Sequence, residues 1–199
     1  MHRSLQGKTS LDVYLCTYYN VMRSIVESLP NEETGFIIGK PRRNGFVISN
    51  AYPIITSKRK PTSVNFSDFS IAERLIKFEK ALHASTESRI LGGYHSHVGE
   101  NTLNQLSESD FKHISYSLDT SKSPFWIELL VKIESRKGYQ KNMPQGEFFY
   151  PLAHEPKKLK VEVYDEPRHG YHFTFSGFAI DKEGSVKELQ IRRLDRRRN

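Results

Sequence analysis

The chain of 199 residues contains one cysteine, one tryptophan and three methionines. Cys16 alone cannot form an internal disulfide, so no disulfide framework holds this fold, and a reducing, cytoplasmic setting is expected. No run of about 18 or more apolar residues occurs, which argues against a helical membrane span. The opening Met1-His2-Arg3-Ser4-Leu5-Gln6-Gly7-Lys8 has no apolar stretch of the kind found in secretory signals, and export is not expected. Internal repeats and low-complexity tracts are also missing, which sets aside solenoids and compositionally biased disorder.

What is present suffices for a sizeable core: 37% of residues are apolar and 12% aromatic, and charge is spread along the length. A single domain over 1–199 is expected. The formal net charge is +7, of which +4 comes from residues 182–199, where seven Lys and Arg stand against three Asp and Glu. The basic tail over 192–199 is able to contact phosphates through charge alone, and a nucleic-acid-binding protein is the reading from a different functional class. No aromatic platform accompanies the tail, however, so a solvated terminus is favoured and nucleic acid is not the expected partner.

Apolar residues at Leu15, Tyr18, Met22, Ile25, Val26 and Leu29 recur at helical spacing and predict a helix over about 14–29. Two β-rich runs follow, Gly35–Gly39 and Phe46–Ile55, joined through Asn44-Gly45, a hairpin signal. Ser70 and Glu73 have capping-box spacing, and Ile71, Leu75, Phe78 and Leu82 then share one face, which predicts a helix over about 68–84. Ile90–His95 reads as a short buried strand, and its glycines allow close backbone approach. A third helix is predicted to open near Ser107, and Phe125–Ile133 is apolar enough to be a central strand. Further strands are predicted at about 159–164, 171–180 and 186–193. This order predicts the α/β class: a mixed, curved β-sheet flanked by helices, with extra C-terminal strands.

The segment His95-Ser96-His97 carries the strongest chemical signal. Residues two apart on a strand project to one face, so both imidazoles can meet a single ion while Ser96 points away. Zinc in hydrolytic sites typically takes three protein ligands and keeps a fourth position for water. Asp110, after a loop and at a helix start, offers the third. Each element also has an ordinary reading: the chain has 8 histidines, and Ser107-x-x-Asp110 is the spacing of a simple helix cap. His169 with His172 is too irregular a pair, without a cysteine to assist, to predict a second metal site, and His113 reads as a helix-surface residue or a neighbour of the ligands.

Taken together, Glu32-Glu33-Thr34-Gly35-Phe36-Ile37-Ile38-Gly39, then His95-Ser96-His97, then Ser107-x-x-Asp110 resemble the signature of the JAMM (MPN-plus) metalloproteases. The resemblance covers about residues 10–135. A C-terminal strand extension over about 136–194 and the basic tail lie beyond it. Val98 stands where the family usually has Pro, and nine residues rather than seven separate His97 from Ser107. Glu100 and Glu108 are therefore the substitutes to examine for Asp110.

The resemblance implies an MPN/JAB/cytidine-deaminase-like fold and one Zn²⁺ ion held by His95, His97 and Asp110. It also implies that Glu32, which lies three residues before the first glycine, is the general acid/base, with Ser107 stabilising the oxyanion. Glu33 is expected to point the other way. The implied activity is a zinc-dependent isopeptidase acting after the C-terminal Gly of ubiquitin or a ubiquitin-like modifier. The loop at about 57–68 lies where relatives present an edge or insertion to the substrate tail, which can add there as a strand; a solvated loop with three basic side chains is the alternative reading. Assembly with a partner protein is common in the family, and some relatives act instead on sulfur-carrier tails or serve as non-catalytic scaffolds.

Overall fold

The computed structural model describes residues 5, 7–54, 58–60, 63–65, 73–74, 77–78, 81, 88–121, 123–137, 146–152, 155–166 and 169–195. The Asn-Gly signal marks a real hairpin: β2 (Thr34–Arg42) and β3 (Gly45–Pro53) pair antiparallel across a two-residue turn. β2 also pairs antiparallel with β6 (Arg89–Val98), placing Thr34 opposite His95. β6 runs parallel to β7 (Phe125–Lys137) in register from Gly92 opposite Ile127 to Val98 opposite Ile133. A side chain on Gly92 would run into the Ile127 carbonyl, so this close pairing depends on glycine there.

β7 pairs along its whole length with β10 (His169–Asp181), whose other edge is divided. Residues 169–175 pair with β9 (Glu155–Glu166), which carries β8 (Gly146–Leu152) on its far side. Residues 177–180 pair with β11 (Val186–Leu194), and β11 runs parallel to β1 (Ser10–Tyr14). β1 runs parallel to β3 as well. The sheet therefore closes in the order β11-β1-β3-β2-β6-β7-β10 and back to β11, a barrel of seven strands with β9 and β8 as a leaf on one side. A separate hairpin joins β4 (Lys58–Lys60) and β5 (Ser63–Asn65).

Alternation sorts the side chains into two regions. Leu129, Val131 and Ile133 of β7, Phe173 and Phe175 of β10, and Leu189 and Ile191 of β11 fill the interior. α1 (Leu15–Ser28) adds Tyr18, Val21, Met22 and Ile25 to the same cluster. Outside the barrel, α2 (Glu108–Ser121) lays Ile114 and Leu118 on Phe36, Trp126 and Ile180. The groove between α2 and the outer face of β2, β6 and β7 is where the chemistry-bearing residues lie.

This architecture corrects the sequence expectation of an α/β, MPN/JAB/cytidine-deaminase-like sheet flanked by helices. The molecule is mostly β, its sheet is a closed barrel, and two complete helices are present among the described residues. The error has a physical source in β1, which the sequence reading missed. Ser10–Tyr14 alternates Leu11 and Val13 inward with Ser10 and Asp12, but over five residues, and the helical period of α1 begins directly after it. β1 is the strand whose two parallel pairings join β3 to β11. Without it the sheet reads as open and in need of helical cover. β8 was missed too.

The other expectations fare better. The first and third helices and β2, β3, β6, β7, β9, β10 and β11 fall close to their predicted positions, β6, β7 and β9 being longer than expected, whereas β4 and β5 were not predicted. Residues 73, 74, 77, 78 and 81 are helical, and the rest of the helix expected over 68–84 lies outside the described residues. So do His154, residues 196–199 of the tail and half of the loop expected at 57–68, whose described residues form the β4–β5 hairpin. Arg192, by contrast, is tied down, its Nε donating to Asp12 Oδ1 at 2.8 Å and an Nη to Ser10 Oγ at 2.9 Å. No helix among the described residues is long and apolar enough to cross a membrane.

Candidate metal centre

β6 presents His95 and His97 to the outer face of the barrel and sends Tyr94 and Ser96 inward. The two ring centroids lie 5.0 Å apart. Ser96 fixes the neighbouring chain: its hydroxyl accepts the Glu33 N–H at 2.8 Å, and its own N–H donates to Glu33 O at 2.9 Å. Thr34 Oγ1 donates to Tyr94 O at 3.0 Å. These bonds hold the stretch before β2 alongside β6, so that Glu32 lines the same cavity as His95 while Glu33 does not.

Asp110 arrives from the first turn of α2. Its Oδ2 accepts the Ser107 N–H at 2.6 Å, and its own N–H donates to Ser107 Oγ at 3.3 Å, a reciprocal capping box. The same cap that starts the helix thus aims the carboxylate at the histidines. His95 Nε2 is 3.4 Å from Asp110 Oδ1, and His97 Nε2 is 3.8 Å from Asp110 Oδ2. One ligand atom from each of His95, His97 and Asp110 lies within 4.8 Å of the others.

Each imidazole is oriented from behind. His97 Nδ1 lies 2.8 Å from Leu103 O, and His95 Nδ1 lies 2.8 Å from Glu128 Oε1. Both Nδ1 atoms face acceptors and therefore carry hydrogen, which leaves Nε2 as the atom each ring can offer to a metal. His95 Nε2 is buried and makes no hydrogen bond. A buried nitrogen so placed, among oxygen and nitrogen donors only, suits a divalent cation of the zinc type.

The two extra residues between His97 and Ser107 do not loosen this arrangement. Gly99 N–H donates to Ile133 O at 3.0 Å, Thr102 Oγ1 donates to Gly99 O at 2.8 Å, and Lys132 Nζ donates to Glu100 O at 2.8 Å. Gly99 has φ +115°, a conformation that favours glycine. Neither proposed substitute for Asp110 reaches the cluster: Glu108 pairs with Lys112 at 2.9 Å on the exposed face of α2, and Glu100 lies outside the cavity wall.

Three carboxylates around two imidazoles set the electrostatics. Burial pushes Glu32 up from 4.5 to about 7, with the His95 charge opposing and Asp110 reinforcing the rise. Burial also works against charge on Asp110, but His95 and the Ser107 backbone and side chain outweigh it and hold the carboxyl below its usual range. Burial disfavours a charged His95, yet its contacts with Asp110 and Glu128 prevail and raise it. His97 is lowered, chiefly by burial. In the metal-free chain a proton on His95 offsets part of the negative charge, a place a divalent cation fills more completely.

A cavity of about 360 Å³ opens beside these groups, walled on its apolar side by Phe36, Leu106, Ile114 and Trp126. Ser107 and His113 also line it. Glu128 and Trp126 were not singled out by sequence reasoning. The available signal was an acid in the otherwise apolar run Phe125–Val131, since a buried carboxylate needs a partner.

No family model and no curated protein matches the chain. It is similar to a solved structure. The solution structure of protein DSY2949 from Desulfitobacterium hafniense superposes with a TM-score of 0.55 at 16% identity, covering 94% of this chain and 95% of that one. At that identity the likeness speaks for the fold alone, and it extends over the barrel together with its appended strands. It carries nothing about the site.

Proposed function

We propose that the chain is a metal-dependent hydrolase, with one Zn²⁺ held by His95, His97 and Asp110, that cleaves the bond after the C-terminal Gly of ubiquitin or a ubiquitin-like modifier. The observation that supports this reading is the convergence of the three ligand atoms within 4.8 Å, with the buried Nε2 of His95 left without a hydrogen bond. The substrate class comes from the resemblance of the same residues to the JAMM metalloproteases, which concerns the site and not the barrel that carries it.

When bound, the ion supplies a Lewis acid and lowers the pKa of water toward neutrality. Glu32, with a carboxyl that burial keeps near neutrality, takes a proton from the attacking water. It then returns that proton to the amine that leaves as the C–N bond breaks. The Ser107 oxygen accepts the Asp110 N–H within the cap, which does not consume its own O–H. That O–H is the donor for negative charge developing on the carbonyl oxygen.

Incubating the purified protein with a panel of ubiquitin-like fusions, with and without a chelator, while measuring bound metal, tests the proposal. Cleavage after the terminal glycine that a chelator abolishes and zinc restores is the expected result. Absence of stoichiometric metal, or cleavage indifferent to the chelator, overturns it.

A further inference from the structure

Behind the ligands lies a carboxylate with two donors of its own. Glu128 Oε1 is 2.8 Å from His95 Nδ1, and Glu128 Oε2 accepts the indole N–H of Trp126 at 2.7 Å. Both Glu128 and Trp126 are 5% exposed. β7 carries the two residues two apart on its outer face, and its register with β6 sets Leu130 opposite His95 and Glu128 opposite Gly93. Gly93 leaves the space: a Cβ there would stand 3.2 Å from Trp126 Cζ2 and 3.4 Å from Glu128 Oε2. His97 has no such anionic partner, since its Nδ1 faces the neutral carbonyl of Leu103.

We propose that Glu128 is a positioning residue for the metal: held by Trp126, its carboxylate fixes His95 in the tautomer and rotamer that offer Nε2 to the cation. The inference rests on the reading of His95, His97 and Asp110 as a metal centre. Its logic is one of donors and acceptors. A carboxylate accepts through both oxygens, so Glu128 alone satisfies two N–H groups at once. An amide in its place has one oxygen. If that oxygen serves His95, the NH₂ meets the Trp126 N–H, donor against donor. If it serves Trp126, the NH₂ meets His95 Nδ1 and drives the ring to the tautomer with hydrogen on Nε2, where the metal must bind.

This predicts a reversal that a purely structural role for Glu128 does not produce. Zinc affinity is read by competition with a chromophoric chelator, and ligand geometry by the visible absorption of the Co²⁺-loaded protein, for wild type, Glu128→Gln, Trp126→Phe and the double variant. Glu128→Gln is expected to bind zinc about 10- to 100-fold more weakly, with an altered Co²⁺ spectrum. Trp126→Phe, which removes one donor but keeps both carboxylate oxygens, should weaken zinc binding by less than Glu128→Gln does. The double variant, in which the amide oxygen is released to His95, should regain most of the lost affinity although it lacks both the carboxylate charge and the indole bond. Wild-type affinity in Glu128→Gln, or no recovery in the double variant, overturns the role of Glu128 and leaves the metal centre standing. A wild-type protein that binds neither ion removes the centre and this inference with it.

Discussion

Glu32 is held where two demands conflict, because the cavity wall that brings its carboxyl near His95 also withdraws it from water. Burial raises it to about 7, and two measurable consequences follow from one shift. The first concerns turnover. Only the ionised carboxylate accepts a proton, so hydrolysis should fall on the acid side with an apparent pKa at or below about 7, the cation drawing it down. Glu32→Gln should keep zinc and lose about 10²- to 10⁴-fold in kcat. The second concerns the metal-free protein. A carboxyl raised in the folded state lends stability below its ordinary 4.5 and loses that contribution as pH climbs through about 7. Thermal unfolding of metal-free Glu32→Gln should therefore match wild type near pH 4 and occur a few degrees higher at pH 8. Equal melting at both values would show that the carboxyl is not withdrawn from water. Ser107 is separable in the same way. Ser107→Ala should lose about 1 kcal/mol of stability with the cap and about 10²-fold in kcat with the oxyanion donor; a melting shift without the kinetic loss would confine Ser107 to the helix terminus.

At the scale of elements, the cluster of His95, His97 and Asp110 depends on how a strand end, a loop and a helix start are joined. The two histidines share a face because β6 continues through Val98, and the aspartate joins them because the α2 cap turns it inward. Much of this is legible in the sequence, since a His-x-His on a strand and a Ser-x-x-Asp at a helix start are local patterns with local geometry. The orienting groups are not local. Glu128 reaches His95 across the β6–β7 pairing, and the carbonyl that holds His97 is a backbone group that no residue type announces. Nor does the sequence announce that a longer loop will be pinned by Gly99 and Lys132. Gly99→Ala tests that pinning. At φ +115° an alanine is strained, and relief of the strain should displace the Leu103 carbonyl from His97. The expected outcome is a loss of about 1–3 kcal/mol in stability together with weaker zinc binding, whereas unchanged zinc affinity would mean that the loop does not steer His97.

At the scale of the molecule, closure of the barrel and construction of the site are carried by different residues. β11 closes the sheet by joining β10 to β1, and Leu189 is fully buried in the interior cluster. His95, His97 and Asp110 stand on the opposite, outer surface, on β6 and α2, and the strand order puts β7 and β10 between β6 and β11 on one side and β2, β3 and β1 on the other. A cavity cut at Leu189 removes interior contacts without moving a group that touches the ligands. Leu189→Ala should thus cost about 2–5 kcal/mol in denaturant unfolding while leaving the zinc affinity of the folded protein within about 2-fold of wild type, as expected for distant sites. Zinc at about 100-fold over its dissociation constant should return about 2.7 kcal/mol to wild type and variant alike, because binding to the folded state adds to stability whatever weakened the core. If the variant instead loses zinc affinity in step with its stability, the outer groove is not a rigid platform, and the barrel must be counted among the elements that shape the metal centre.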